Sequence, residues 1–304
     1  MQNIQITSPG IKKALKNYSS LQAIAEYIWN GFYAKASSVK LRTVKNKLGA
    51  ITAIIVEDNG YGIPCEDLKS KFVPFLDSEK IIDPNTERTT SVMHGKNGVG
   101  RLTFFKFSSV AEWHTVYKKN NENIKYSITI ESDDLKRYIH TATESTDEQT
   151  GTTVRFSNVR EILLEELLEY LRKEFGWFLE LNKNNKYSLT INGKELDYSK
   201  IILESQNISL CYSETKTTFD IKYLLWCVKP NKEYSRYYCL NSKGNEVFKK
   251  TTTLNNKGDS FYHSIFIKSS FFDSFIYRKE DSDQIEMFQS SKGNDEFKFL
   301  MEEV

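Results

Sequence analysis

The sequence predicts an α+β protein in two parts, residues 1–200 and 201–304. Three observations predict it. Apolar residues recur at helical spacing over 11–36 and over about 161–180. Short β-branched and aromatic runs, bounded by turn residues, fill most of the rest up to about residue 195. From about residue 201 the pattern turns to strand runs such as FDIKYLLWCV, RYYCLN and SIFIKSS.

Taken in order, Leu15, Leu21, Ile24, Ala25, Ile28 and Trp29 set the period of the first helix, and Ser19–Ser20 offer a cap or a break within it. SVKLRTV (38–44) and ITAIIVED (51–58) read as strands, the second stopped by Asp58-Asn59-Gly60-Tyr61-Gly62. Residues 77–97 are polar and aperiodic, a long loop, and a loop beyond about 12–15 residues usually has a function or no fixed structure. A short helix follows at 98–107, strands fill 109–157, EILLEELLEYLRKEFGWFLE makes an amphipathic helix, and YSLTINGKEL (187–196) a strand and turn. DEFKFLMEEV reads as a terminal helix.

Composition removes several classes. Lys+Arg is 42 against 40 Asp+Glu, a net charge of +2, which argues against a general phosphate-backbone binder and leaves room for a local basic patch. No run of 18 apolar residues predicts a membrane span, and the N-terminus lacks the apolar stretch of a signal peptide. Cys65, Cys211, Cys227 and Cys239 are far apart and form no CxxC pair, so a zinc site or disulfide framework is not expected and a reducing cytosol is.

Four segments carry chemistry. Glu26 and Asn30 are one helical turn apart, so they share a face. A carboxylate there can take a proton from water and a carboxamide oxygen can ligate a hard cation, although the pair alone also suits a solvated helix face. Asp58, at the end of an apolar strand, can accept a hydrogen bond from a base-edge amino group, and Gly60 and Gly62 let the backbone approach a planar ligand. An ordinary DNG turn is the plainer alternative. Gly95-Lys96-Asn97-Gly98-Val99-Gly100-Arg101 packs three of 14 glycines into six residues before a helix start, an arrangement that offers N–H groups to phosphate oxygens or makes a hinge loop. Gly151-Thr152-Thr153-Val154 opens a strand, and Thr152 can hydrogen-bond a base or a water.

In this order and spacing the segments AIAEYIWNGFYAKA (23–36), EDNGYGI (57–63), HGKNGVGR (94–101) and GTTV (151–154) resemble the GHKL superfamily, which groups DNA gyrase, the ninety-kilodalton heat-shock chaperones, sensor histidine kinases and MutL. The resemblance covers roughly residues 15–195. It implies a two-layer sandwich of the Bergerat type, a mixed and largely antiparallel sheet covered by helices, followed by a smaller α/β transducer domain. It implies ATP and Mg²⁺ as ligands. Glu26 takes the place of the general base, Asn30 of the metal ligand, Asp58 of the adenine carboxylate with Thr152 as its helper, Gly95 to Arg101 of the phosphate loop, and 77–97 of the ATP lid. Ser78 and Lys80 fall where relatives carry an S-x-K piece.

Tyr33 departs from the NxxDA form of the first motif, where relatives have an acidic residue. KSSFFDSFIYRKE (268–280) resembles, at low identity, the chaperone segment whose arginine contacts the γ-phosphate, and RYYCLNSKGNEV (236–247) a MutL strand–turn–strand. Arg278 is the expected γ-phosphate cation, with Lys243 and Lys268 as alternatives. The resemblance implies a slow ATPase that closes its lid and dimerises on ATP, with a partner protein, no membrane, and DNA as a compatible ligand. The relatives act in DNA repair, in DNA compaction or in phage defence. An ATP-holding scaffold without hydrolysis is the alternative. A sensor-type kinase fits less well, because no phosphoacceptor His precedes the first motif.

Overall fold

A computed structural model of the chain describes residues 7–72, 100–185, 187–231, 234–254, 260–275 and 295–304. Helices α1 (Ser8–Ala14) and α2 (Ser20–Tyr33) take the place of the single helix expected over 11–36. The break has a local cause. The Ser19 hydroxyl accepts the Gln22 N–H at 3.1 Å, and the Gln22 side chain accepts the Ser19 N–H at 2.9 Å. This reciprocal cap satisfies two donors at the start of a new helix. α2 buries Ile24, Tyr27, Ile28, Trp29 and Phe32. Each such side chain contributes about 1.5–3 kcal/mol by leaving water.

The chain then runs through β1 (Ser38–Lys45), β2 (Ile51–Asp58), α3 (Leu68–Phe72), a 3₁₀ segment (Gly100–Lys106), β3 (Val110–Lys119), β4 (Glu122–Glu131), β5 (Ile139–His140), β6 (Glu144–Thr146), β7 (Gly151–Ser157), α4 (Leu164–Leu181), β8 (Ser188–Ile191) and β9 (Lys194–Glu195). The short helix expected at 98–107 is thus 3₁₀ over its described part. The strands form one sheet in the order β5-β4-β3-β7-β2-β1-β8-β9, with β6 beside β4. Only the β1–β8 pair is parallel, so the sheet is mixed and largely antiparallel. One face carries Val39, Leu41, Val56, Trp113 and Phe156, all buried. α2 packs there, with Tyr27 edge-on to Phe156 at 4.5 Å and Phe107 against Phe156 at 4.8 Å. The opposite face is polar: Glu57 pairs with Lys40 and Arg42, each at 2.9 Å.

Two compact units divide the chain. The first takes the described residues to Phe72, Gly100–Leu171 and 187–196; the second takes Arg172–Asn185 and the described residues from Asp197, so the division falls within α4. In the second, β10 (Ile202–Tyr212), β11 (Thr217–Trp226), β12 (Arg236–Leu240), β13 (Glu246–Thr251) and β14 (Tyr262–Lys268) form a sheet ordered β10-β11-β14-β12-β13, and α5 (Asp295–Glu303) ends the chain. Phe219, Cys239, Phe248, Ile267 and Phe272 form its core with Phe297 and Leu300 of α5. Trp177 of α4 stacks on Tyr238 at 6.1 Å. The buried Glu180 is held by Lys222, by Lys183 at 3.8 Å and by the Tyr198 hydroxyl at 2.8 Å. Among the described residues no helix is long and apolar enough to cross a membrane.

Candidate functional site

α2 places Glu26 and Asn30 one turn apart, both half-buried. Gly100, the last glycine of the third motif, lies over them. A Cβ built on Gly100 would stand 3.0 Å from Glu26 Oε2 and 3.8 Å from Asn30 Nδ2. Two side chains on a helix and a glycine 70 residues later thus share one small space, and a larger residue at 100 would fill it. Two buried hydroxyls fix that glycine. Thr103 Oγ1 donates to the Gly100 carbonyl at 2.7 Å, and the Tyr27 hydroxyl donates to the Arg101 carbonyl at 2.7 Å. Tyr27 follows Glu26 directly, so the first and third motifs are tied by a hydrogen bond as well as by packing.

Asp58 ends β2 between Val39 of β1 and Thr152 of β7. Its carboxylate accepts the Gly60 N–H at 2.8 Å and the Thr152 N–H. Burial raises its pKa from 3.8 to about 6, with Glu57 adding repulsion, against the lowering effect of the two N–H donors. Its surroundings are packed to the limit. A Cβ on Gly31, in α2, would come within 2.9 Å of both Asp58 Cβ and Val39 Cγ2. One on Gly60 would stand 2.7 Å from Ala34 Cβ, and one on Gly151 would collide with the Asp58 carbonyl. Gly62 has φ +75° and faces the Val116 carbonyl, so this turn admits only glycine on both conformational and steric grounds.

A threonine pair completes this end of the site. Thr115, buried on β3, accepts the Ile63 N–H at 2.9 Å and lies 3.1 Å, hydroxyl to hydroxyl, from Thr152. Its hydroxyl also reaches the Gly151 carbonyl at 3.3 Å. Thr115 and Gly31 were not among the residues expected from sequence. Gly31 carried a signal, a glycine inside a helix of a glycine-poor chain. Thr115 carried none, because strand pairing alone brings it beside Thr152.

Gly95, Lys96, Asn97, Gly98, Val99, Ser78, Lys80, the 77–97 lid and Arg278 lie outside the described residues. The Arg101 guanidinium donates to the Phe72 carbonyl at 3.1 Å and sits 5.7 Å over the Phe72 ring. Burial lowers its pKa to about 10, which leaves it charged at neutral pH. Tyr33 stacks on Trp29 at 6.1 Å, so the position that is acidic in the NxxDA pattern joins an aromatic pair here. Lys243 and Lys268 both belong to the second unit.

The polar face of the sheet also holds a concavity of about 610 Å³ that reaches the strand ends at Asp58 and Thr152. Two ion pairs line it, Lys40 with Glu57 and Lys125 with Glu148, each at 2.9 Å, beside the further carboxyl groups of Asp58 and Glu144. Glu26 and Asn30 do not line it.

No curated protein sequence matches the chain. Among solved structures, the ATPase region of Saccharomyces cerevisiae topoisomerase II aligns with a TM-score of 0.46 and 14% identity over 82% of this chain and 72% of that one. The same region bound to ICRF-187 (dexrazoxane) aligns with a TM-score of 0.43 and 15% identity, covering 81% and 73%. Residues 18–159 match the family model of the histidine kinase-, DNA gyrase B-, and HSP90-like ATPases. All four motifs fall within that span, and residues 18–159 form a domain of the GHKL ATPase superfamily.

Proposed function

We propose that the chain binds ATP with Mg²⁺ at this site, hydrolyses it slowly, and uses nucleotide state to close a lid and dimerise. The observation that supports this most is the convergence of Glu26, Asn30 and Gly100 in one space. Glu26 takes a proton from a water, and the lack of a side chain at Gly100 keeps the space beside its carboxylate open. The Asn30 carboxamide oxygen is the metal donor. Among the described residues no three His, Cys, Asp or Glu side chains gather into a metal cluster. One carboxamide beside one carboxylate suits Mg²⁺, which typically keeps waters and shares its shell with substrate phosphates. Bound there, the ion supplies charge neutralisation on the phosphate oxygens.

Asp58 in its ionised form accepts the exocyclic amino group of adenine, with the Gly60 and Thr152 N–H groups holding the carboxylate in place. Residues 77–97 are the proposed lid and Gly95 to Arg101 the phosphate loop. The second unit is the proposed transducer, with Arg278, or else Lys243 or Lys268, as the γ-phosphate cation. A reducing cytosol suits the four free thiols. DNA maintenance or anti-phage defence is the proposed setting, with a partner protein.

Glu26→Gln tests the chemistry. It should keep an ATP-dependent rise in melting temperature and lower phosphate release by about 10²–10⁴-fold. A Gln variant that turns over at the wild-type rate removes Glu26 as the base. A wild type that shows the melting shift and releases no phosphate supports the scaffold instead, and one without the shift overturns ATP binding.

A further inference from the structure

The edges of the two sheets are guarded unequally. A free strand edge presents unpaired N–H and C=O groups, and natural proteins blunt such edges with short strands, lysines, proline or bulges. At the ends of the large sheet, β5 and β9 are two residues each, and β9 is Lys194–Glu195. β13, one edge of the second sheet, is six residues long and carries Lys249 and Lys250. β10, the other edge, differs. It is 11 residues long and exposed along almost its whole length. Its pairing with β11 is irregular only at Leu203, between Ile202 and Glu204, and is regular from Glu204 to Tyr212. Those nine residues, ESQNISLCY, hold one charge and no Lys, Pro or Gly. Ile208 is 40% exposed in their middle. Among the described residues no strand pairs with the outer side of β10.

We propose that the outer edge of β10 docks the β10 of a second copy of this chain, antiparallel about Ile208. The sequence suits itself in that register. Ile208 faces the partner's Ile208. On the same face Gln206 lies opposite the partner's Leu210, and Glu204 opposite the partner's Tyr212. On the other face Asn207 meets the partner's Ser209, and Ser205 meets the partner's Cys211. The single charge therefore never meets its own copy, and like charges opposite each other are what penalise a cross-strand pair. On that face Leu210 and Tyr212 already pack against the core cluster of the second unit, while Glu204, Gln206 and Ile208 are exposed. Twofold antiparallel pairing uses the same strand on both copies and closes at a dimer. Two five-stranded sheets become one continuous sheet. This contact requires no nucleotide and stands apart from the ATP-driven dimerisation proposed above.

The test uses the full chain without nucleotide, by light scattering after size exclusion over a concentration series. Wild type should be dimeric. Ile208→Lys sets two lysines opposite each other at the centre and should raise the dimer dissociation constant at least tenfold, with an unchanged circular dichroism spectrum. Ser205→Cys should cross-link into a disulfide dimer under mild oxidation, and Ser205→Cys with Cys211→Ser should not. A wild type that is monomeric throughout the series, an Ile208→Lys protein that dimerises as tightly as wild type, or a cross-link that survives Cys211→Ser overturns the proposal. None of these results bears on ATP binding, which the melting shift reads separately.

Discussion

Replacing Asp58 by Asn should make the ligand-free protein more stable at pH 8 and unable to hold the nucleotide. Asp58 is half-buried at a strand end, and desolvation there raises its pKa from 3.8 to about 6. Because the folded value lies above the ordinary one, folding favours the protonated form. The stability that this carboxyl contributes is complete below about pH 3.8 and is lost as pH rises through about 6. A rise of that size corresponds to about 3 kcal/mol between the two ends of the window. Asn carries no charge, so it escapes this penalty. It keeps an acceptor for the Gly60 N–H, now at 2.8 Å, but its amide nitrogen cannot also accept from Thr152, which costs about 1 kcal/mol. The net gain is about 2 kcal/mol at pH 8 and close to nothing near pH 4. Urea denaturation of both proteins at pH 4, 6 and 8 reads this difference. Stability profiles that run parallel across the three pH values would refute the burial argument. An Asn variant whose melting temperature rises with ATP as much as that of wild type would refute the adenine contact.

Two further outcomes follow from the packing. Gly100→Ala puts a Cβ 3.0 Å from Glu26 Oε2 and must displace the carboxylate. The carboxylate has to give by only a few tenths of an ångström, so kcat should fall by less than the roughly 100-fold that a displacement of about 1 Å costs, with KM changing much less; steady-state phosphate release separates the two. Thr115→Val keeps the volume but leaves the Ile63 N–H without its acceptor and Thr152 without its hydroxyl neighbour. It should cost about 1–3 kcal/mol in urea denaturation, and a stability equal to wild type would show that water takes the place of the hydroxyl.

Most of the first unit was legible in the sequence because its signals are local. β1, β2 and α4 follow from period and from the turn residues that bound them, and the break at Ser19 follows from a cap that needs only Gln22, three residues on. The candidate site was readable as four short motifs for the same reason, with Gly95 to Val99 of the third outside the described residues. What stayed hidden depends on pairing over long separations. Thr115 becomes part of the Asp58 environment only because β3 pairs with β7 and aligns Thr115 with Thr152. The link from Tyr27 to Arg101 joins residues 74 apart. β10 escaped detection for a different reason: ILESQNISLCY lies at a sheet edge, where neither face is steadily buried, so the alternation that marks a half-buried strand is weak.

The features hardest to explain as stabilising structure are the ones that gather at the site. A carboxyl is half-buried where desolvation raises its pKa, and Gly31, Gly60 and Gly151 crowd around it in a chain with only 14 glycines. A glycine sits against Glu26 where almost any other residue would fill the space. Each choice costs stability in the empty protein, through burial of charge or through the greater chain entropy of glycine when unfolded. Sequences under selection for folding alone would drift from such choices, since a Cβ at Gly100 or an amide at position 58 is a single substitution away. Their coincidence over two motif pairs, both carried or contacted by α2, makes sense if something binds there and offsets the cost. A ligand with a hydrogen-bond donor at one end and anionic oxygens at the other meets both demands at once. An adenine nucleotide has that polarity, and the spacing from Asp58 to Gly100 along α2 is set by the helix that carries Glu26, Asn30 and Gly31 in succession.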